Sequence, residues 1–210
     1  DLIIVHSGKS KASQNERLLI QEYGVKLIQR TIFLLTTITR SGFAYTMDTR
    51  LRPSGNAGVL VTPWEVYFKY HRNSQAWEHQ ALVKGRIVAG ATTQLESEGL
   101  IETIDEFSKP GWFEEVESGI EQAAYEWETP RDLAFQIHHL RSRKEKELSA
   151  ETDKKRNLKE GRGGLLDVEF LTQYLQLVHG RDIPEMKTTE TLEALENAGK
   201  HGLLNQDQVS

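Results

Sequence analysis

Asp48 to Gly58, with the sequence DTRLRPSGNAG, brings one carboxylate, two guanidinium groups and two glycines into a single short segment. The segment follows the apolar run Gly42 to Met47, and together they predict a strand over residues 43–51 that ends beside these charges. An acid at the end of a strand, next to cations and a backbone that a ligand can approach closely, suits a metal-bound polyphosphate.

The pattern around this segment predicts an α+β protein. Leu2 to Val5 predicts a buried strand, residues 15–40 a long helix and residues 58–62 a second short strand. Thr62-Pro63-Trp64-Glu65 predicts a helix start with a capping box. Further helices are predicted over 75–88, 91–107, 111–128, 130–148, 165–179 and 188–197, with a linker-like charged run over 141–162. We therefore expect a sheet-containing domain over residues 1–90 and a helical bundle over residues 91–210.

Two carboxylates, Asp1 and Asp48, lie at the edges of predicted strands. A long helix connects these strands, so the strands can be neighbours with their ends close together. Two carboxylates at one sheet edge can hold Mg²⁺ and leave room for substrate phosphates, and two bridged metals can activate an attacking oxygen. The alternative is that Asp48 caps a turn and that Asp1 has no role.

Arg50 and Arg52 alternate with Leu51, so on a strand they would share a face with Asp48. Arginine binds phosphate oxygens in bidentate fashion, although each of these residues could instead pair with a nearby acid. Gly55 could let the backbone approach a ligand, or could simply make a hairpin turn with Gly58.

Trp77 to Leu82, with the sequence WEHQAL, is followed by Lys84 and Arg86. We expect Trp77 in the core and His79 at the surface. Lys84 or Arg86 could reach the phosphate site from this helix.

A glycine-rich turn, residues 161–164, opens the predicted helix that begins at Leu165 and carries Asp167 and Glu169 near its start. Free backbone N–H groups there could accept a phosphate. The two acids would repel an anion, however, and they are better suited to complement the helix dipole or to steer an arginine or a metal.

Composition excludes several classes. The 210 residues contain no cysteine, so disulfide scaffolds and thiolate metal sites are excluded. No apolar run approaches the ~20 residues of a membrane-spanning helix, and no signal peptide is evident, which predicts a cytoplasmic protein without a membrane partner. The net charge of −5 argues against nucleic-acid binding. Because Asp1 opens directly into a predicted strand, we expect the chain to be a piece of a longer polypeptide.

Taken in order, the segments around Asp1, Asp48 to Gly55, Trp77 to Leu82 and Gly163 to Leu177 resemble the bacterial bifunctional glutamine synthetase adenylyltransferase/adenylyl-removing enzymes. The resemblance extends from Asp1 to about Leu204. The sequences WEHQAL and DVEF are similar to the C-terminal, adenylylating half of that family rather than to the adenylyl-removing half.

The resemblance implies a nucleotidyltransferase domain of the DNA polymerase beta-like type, followed by a helical bundle. It implies transfer of AMP from ATP to a tyrosine of glutamine synthetase, with a PII-type signalling protein as a further partner. Asp1 matches the second acid and Asp48 the third acid of a metal-binding triad that holds Mg²⁺, while Arg50, Arg52, Gly55, Lys84 and Arg86 are the expected phosphate-binding residues. The first acid and a Gly-Ser segment have no counterpart here, so we expect the chain alone to bind Mg·ATP poorly.

Two alternatives follow. The chain could be the homologous adenylyl-removing domain, which works by phosphorolysis. It could instead be a non-catalytic helical module that docks glutamine synthetase or a PII-type regulator.

Overall fold

The computed structural model describes residues 1–7, 14–90, 111–152 and 154–205, and these are mostly helical with one small parallel sheet. They form two compact units, the first drawn from Asp1–Asn73 and Ala89–Val116 and the second from Ser74–Val88 and Glu117–Ser210. The domain boundary expected near residue 90 stays a prediction, and the helix predicted over 91–107 lies outside the described residues.

The described residues contain two strands and seven α-helices. The strands are β1 (Val5–His6) and β2 (Thr62–Pro63), and the helices are α1 (Gln14–Thr36), α2 (Trp64–His71), α3 (Ala76–Leu82), α4 (Trp112–Tyr125), α5 (Leu133–Leu148), α6 (Leu165–His179) and α7 (Thr191–Lys200). Short 3₁₀ turns lie at Gly55–Ala57 and Pro184–Met186. None of these helices combines the length and the apolar content that a bilayer crossing requires.

In the first unit, β1 and β2 pair in parallel, with Val5 opposite Thr62. Helix α1 is fastened to this pair by Gln21, whose Nε2 donates to the carbonyl of Val61 at 2.6 Å and whose Oε1 lies 3.2 Å from Nε2 of His6. The glutamine side chain therefore satisfies backbone and side-chain groups of the two strand segments at once.

An aromatic cluster makes the core of the first unit. Trp64, Tyr67 and His71 are spaced three and four residues apart, so one face of α2 carries all three, and all three are buried. Trp64 and Tyr67 stack with ring centroids 5.6 Å apart, and Trp112 meets Trp64 edge-on at 6.2 Å. Burial of these large rings is the main apolar contribution in this unit.

The second unit is a helical assembly in which α6 packs against α3, α5 and α7. Leu175 of α6, Met186 and Ala198 of α7 form a buried apolar cluster. The buried side chain of Gln176 donates to the carbonyls of Met186 and Thr188, at 2.8 and 2.7 Å. These bonds join the connection before α7 to the last turn of α6.

The strand predicted over residues 43–51 is wrong. The N–H groups of Ala44 and Tyr45 both donate to the carbonyl of Leu35, at 3.1 and 3.0 Å, so the chain turns back onto the end of α1. The two strands that do form are shorter than predicted and begin later in the sequence. Strand β1 begins at Val5 rather than Leu2, and β2 begins at Thr62 rather than Gly58.

Three other local predictions also differ from the structure. Helix α1 ends at Thr36 rather than near residue 40. At this end the hydroxyl of Thr36 donates to the carbonyl of Ile32, and a little further on Gly42 has a left-handed φ of 94°. Thr62 and Pro63 pair in β2, so α2 begins without a side-chain cap. Helix α3 begins one residue after Gln75 and ends at Leu82, well before Val88.

Candidate functional site

The Asp48 segment lies beside the start of the chain. The N–H of Leu2 donates to the carbonyl of Asp48 at 2.6 Å, so the backbone next to Asp1 and the backbone of Asp48 are in direct contact. Asp1 is exposed, and Asp48 is partly exposed. The structure thus brings together the two segments that carry the predicted acids, although residues 43–51 are not a strand.

Arg52 holds the turn that follows Asp48. Its Nη1 donates to the carbonyl and to the hydroxyl of Thr49, at 2.7 and 2.6 Å, and its Nε donates to the carbonyl of Gly58 at 3.2 Å. The loop from residue 49 to residue 58 is therefore closed by one guanidinium. In this arrangement Arg52 holds the conformation of the loop.

At two positions of this loop the backbone geometry favours or requires glycine. Gly55 has a φ of 54°, in the left-handed region that favours glycine. A Cβ on Gly58 would lie 1.9 Å from the carbonyl oxygen of Pro53, so no side chain fits there. The two glycines therefore lie in a tight turn that contains the 3₁₀ segment Gly55–Ala57, and no hairpin forms because residues 43–51 are not a strand.

Asp48 and Arg50 form a bidentate ion pair. The Nη2 of Arg50 lies 2.5 Å from Oδ2 of Asp48, its Nε lies 3.0 and 2.9 Å from the two carboxylate oxygens, and its backbone N–H donates to Oδ1 at 2.9 Å. Hydrogen bonds from the Arg50 side chain, and then from its backbone, lower the pKa of Asp48 to about 2. Asp48 is therefore ionised across the physiological range.

An open cavity of about 510 Å³ adjoins this pair, and its lining consists of Thr46, Met47, Asp48, Thr49, Arg50 and Asn56. The side chain of Arg50 is 72% exposed, so its guanidinium is accessible to an anion in solution. Hydroxyls, an amide, a cation and a carboxylate around one cavity can bind phosphate oxygens and a cation together. The sequence prediction identified Asp48 and Arg50 but missed Thr46, Thr49 and Asn56, which lie in or just before the same polar stretch.

The donor set for a metal is small. Among the described residues there is no group of three or more His, Cys, Asp or Glu side chains that could hold a metal ion. Magnesium commonly takes one or two carboxylates and completes its shell with water and substrate phosphates, so an ionised Asp48 and the neighbouring Asp1 fit that donor chemistry. Both oxygens of Asp48 accept hydrogen bonds from Arg50, so a cation there would compete with the guanidinium.

Lys84 and Arg86 belong to the second unit. Lys84 forms an ion pair with Glu169 of α6, with Nζ 3.2 Å from Oε1, and the neighbouring Gln80 donates to Gln173 at 2.8 Å. Arg86 is exposed. The partner of Lys84 is thus a carboxylate within its own unit, and its phosphate role stays a prediction.

Two expectations for the WEHQAL helix are wrong. Trp77 is 45% exposed, whereas His79 is 1% exposed and stacks on Trp127 with ring centroids 3.9 Å apart. The Nδ1 of His79 lies 2.6 Å from the carbonyl of Ala123 and therefore donates, so Nε2 accepts from the hydroxyl of Ser74 at 3.0 Å. Burial lowers the pKa of His79, and the hydrogen bond to Ala123 offsets this only in part. The lowered pKa favours the neutral ring.

The glycine-rich turn before α6 is bonded to Arg141 of α5 and to Asp167 of α6. Asp167 Oδ1 lies 2.6 Å from Nε of the buried Arg141, and Asp167 Oδ2 accepts from the N–H of Gly163 at 2.5 Å. Arg141 Nη2 also donates to the carbonyl of Gly161 at 2.8 Å. Of the roles considered for the acids of α6, the structure shows Asp167 paired with an arginine, Arg141, while Glu169 pairs with Lys84. The linker-like interpretation of residues 141–162 is wrong for its described part, which contains the end of α5 and this bonded turn.

Comparison with known proteins gives two family matches and a set of relatives. The family model of glutamate-ammonia ligase adenylyltransferase matches residues 1–100, and the model of GlnD PII-uridylyltransferase matches residues 131–210. The chain is 34% identical over 99% of its length to the bifunctional glutamine synthetase adenylyltransferase/adenylyl-removing enzyme of Psychromonas ingrahamii, and 32% identical over its whole length to that of Hahella chejuensis. It spans 21% of the length of each relative. The similarity to these two relatives confirms the predicted resemblance along nearly the whole chain.

Proposed function

We propose that this chain carries part of a nucleotidyl-transfer centre that moves AMP from ATP to a tyrosine hydroxyl of glutamine synthetase. The observation that supports this most is the Asp48–Arg50 pair at an open cavity beside the backbone of Leu2, within the residues that match the adenylyltransferase family. The arrangement offers a carboxylate for a metal and an accessible cation for a phosphate in one place. The finer fold assignment, a partial DNA polymerase beta-like nucleotidyltransferase sheet, is part of the same proposal.

In this proposal Asp1 and Asp48 would hold Mg²⁺. When bound, the ion would favour ionisation of the attacking hydroxyl and would neutralise charge on the pyrophosphate. An ionised Asp48, with its pKa near 2, needs no deprotonation before it takes this role.

The residues of this chain would do the rest by binding and positioning. Arg50 would exchange its pair with Asp48 for phosphate oxygens, and the remaining N–H groups of Arg52 would add a second contact. The tyrosine hydroxyl then releases its proton to solvent and its oxygen forms a bond to the α-phosphorus of ATP, while the bond from that phosphorus to pyrophosphate breaks and pyrophosphate leaves. Thr49, Asn56 and the backbone around Gly55 would orient the triphosphate in the cavity, and Lys84 and Arg86 are the remaining candidates for phosphate contact.

Glutamine synthetase is the proposed protein substrate because the names of both relatives state an action on it. A PII-type protein is proposed as a regulatory partner, and the cytoplasm as the location where these proteins would meet. We propose the adenylylating rather than the adenylyl-removing activity because of the WEHQAL and DVEF sequences at Trp77 and Asp167.

Calorimetric titration of the 210-residue chain with ATP, with and without Mg²⁺, tests the site. We expect Mg²⁺-dependent binding that is lost in Asp48→Asn with an unchanged far-ultraviolet spectrum. ATP binding that ignores both Mg²⁺ and Asp48 would contradict the proposal. Incubation of unmodified glutamine synthetase with labelled ATP, against modified glutamine synthetase with phosphate, then separates adenylylation from phosphorolytic removal.

A further inference from the structure

Two exposed leucines are joined by a backbone hydrogen bond at the start of α6. The side chain of Leu158 is 81% exposed and that of Leu165 is 65% exposed, and the N–H of Leu165 donates to the carbonyl of Leu158 at 2.9 Å. Val168 and Leu171 follow on α6 and are also exposed. We call these four residues the leucine patch. Exposed apolar residues that lie together can mark a protein-binding surface.

The loop that presents Leu158 is held in place by its own hydrogen bonds. The Oδ1 of Asn157 accepts from the N–H groups of Lys159 and Glu160, at 3.1 and 3.0 Å, and its Nδ2 donates to the carbonyl of Ser149 at 3.1 Å. The carboxylate of Glu151 accepts from the N–H of Asn157 at 3.0 Å. The loop therefore has one preferred conformation, and in it Leu158 faces solvent.

The other end of the loop is fixed by Arg141 and Asp167. Arg141 donates to the carbonyl of Gly161, and Asp167 accepts from the N–H of Gly163. Gly164 lies so close to the carbonyls of Leu158 and Gly161 that a Cβ there would be 2.7 and 2.9 Å from them. Because both ends are fixed, Leu158 and Leu165 are not free to fold inward, and a prearranged apolar pair loses little entropy when it binds.

The surroundings of the leucine patch are basic. Residues 149–165 carry five Lys or Arg against three Asp or Glu, in a chain whose net charge is −5. Lys154, Lys155, Lys159 and Arg162 are exposed, and we call them the basic rim. Of the acids in this stretch, Glu151 accepts a hydrogen bond from the N–H of Asn157, and just beyond the stretch Asp167 pairs with Arg141. The stretch that carries Leu158 thus also carries four exposed cations, and an acidic protein surface would complement that charge.

We propose that the leucine patch and the basic rim dock the protein that receives the adenylyl group, through an acidic segment of that protein with an apolar side chain as its anchor. This inference rests on the proposed function for the identity of the partner. It goes beyond that function in assigning recognition of the protein substrate to the loop before α6, in the unit that does not contain Asp48. The apolar centre supplies affinity, and the rim supplies orientation and a salt-dependent association rate.

The test measures binding of the 210-residue chain to immobilised, purified glutamine synthetase by biolayer interferometry. The variants are Leu158→Ser/Leu165→Ser and Lys159→Glu/Arg162→Glu. The matched control is Leu192→Ser on α7, which also removes an exposed leucine from the second unit. We expect the leucine pair to weaken binding about tenfold or more, because two leucines are no longer buried in the complex. The charge variant should also weaken binding and flatten its dependence on salt between about 50 and 300 mM NaCl, while the control binds like wild type.

Thermal unfolding of each variant and Mg·ATP binding on the same samples accompany the measurement. Equal binding by the leucine variant, loss of binding by the Leu192 control to the same extent, or no binding by the wild type would each overturn the docking assignment. So would preferential binding to phosphatidylserine vesicles, to a single-stranded RNA or to a second copy of the chain. Intact Mg·ATP binding in any of those cases leaves the proposed function standing, so the two failures are distinguishable.

Discussion

Arg141 and Asp167 form an ion pair in which one partner is buried and the other is not. The guanidinium of Arg141 lies almost wholly inside the second unit, with Nε 2.6 Å from Oδ1 of Asp167, whose side chain is about one-third exposed. Within the described residues, Nε has no well-aligned hydrogen-bond acceptor, so the contact is an ion pair rather than an aligned hydrogen bond. Glu145 adds a longer contact at 3.7 Å from Nη1. The buried cation therefore depends mainly on one carboxylate.

We predict that Asp167→Asn destabilises the protein much more than Glu169→Gln. Removal of the Asp167 charge leaves Arg141 buried without its close anion, at a cost of about 2 kcal/mol in the free energy of unfolding. Lys84 and Glu169 are both substantially exposed, so the loss of their pair costs less than about 1 kcal/mol. Urea unfolding followed by circular dichroism measures both. An equal loss of unfolding free energy in Asp167→Asn and Glu169→Gln would show that the burial of Arg141 does not determine the size of the loss.

We predict opposite effects for two glycine substitutions in the first unit. Gly58→Ala places a methyl group against the carbonyl of Pro53, which the backbone cannot avoid, and should destabilise by about 1–3 kcal/mol. Gly24→Ala is the matched control, because its Cβ would meet the side chain of Val61, with Cγ1 nearest at an ordinary 3.4 Å, and alanine favours a helix over glycine by up to about 1 kcal/mol. Thermal melts of the two variants should shift in opposite directions. A stable Gly58→Ala protein would mean that the turn after Asp48 has another conformation.

The buried His79 predicts a loss of stability on acidification. Its folded pKa is lowered from 6.5, so the unfolded chain binds a proton that the folded chain resists, and stability falls as the pH drops below about 6.5. His6, whose pKa is also lowered by burial, acts in the same direction. Urea midpoints at about pH 7.5 and about pH 5.5 should therefore differ, and His79→Gln should reduce the difference. The exposed His138 supplies the control, and an equal reduction in His138→Gln would contradict the assignment to His79.

Arg50→Gln should raise the pKa of Asp48 from about 2 toward its ordinary value of 3.8, because the side-chain hydrogen bonds of Arg50 are the largest cause of the lowered value. Carbon-13 NMR titration of the aspartate carboxyls measures this directly. Arg52→Gln is the comparison, since Arg52 bonds to Thr49 and Gly58 rather than to Asp48. An unchanged Asp48 titration in Arg50→Gln would show that the bidentate pair does not form in solution.

The parts of the fold that sequence predicted well are those whose causes are local. Helix α6 runs from Leu165 to His179 as predicted, because its apolar spacing is regular and glycine lies just outside both ends. The turn at Gly55 and Gly58 was likewise predictable from composition. The cluster of Asp48 and Arg50 was found because both residues lie within one short stretch.

What could not be predicted depends on partners far away along the chain. Trp77 and His79 lie two residues apart on one helix, and the choice of which is buried is made by Ala123 and Trp127 on another segment. Residues 43–51 have the composition of a strand, but the backbone around Ala44 bonds to Leu35 instead of to a neighbouring strand. The role of Arg141 is also absent from its local sequence, because its partners Gly161 and Asp167 belong to the turn before α6 and to α6 itself.

The parallel pairing of Val5 with Thr62 has a consequence for how the first unit folds. In the sequence, β1 comes before α1 and the Asp48 loop, and β2 comes after them. The pairing of the two strands therefore closes a long loop of chain. Closing such a loop has an entropic cost that only later contacts offset, and pairing of this kind is slow compared with helix formation. The Asp48 segment lies within this closed loop. We therefore expect its cavity to form only after α1 has folded and Gln21 has joined the two strands.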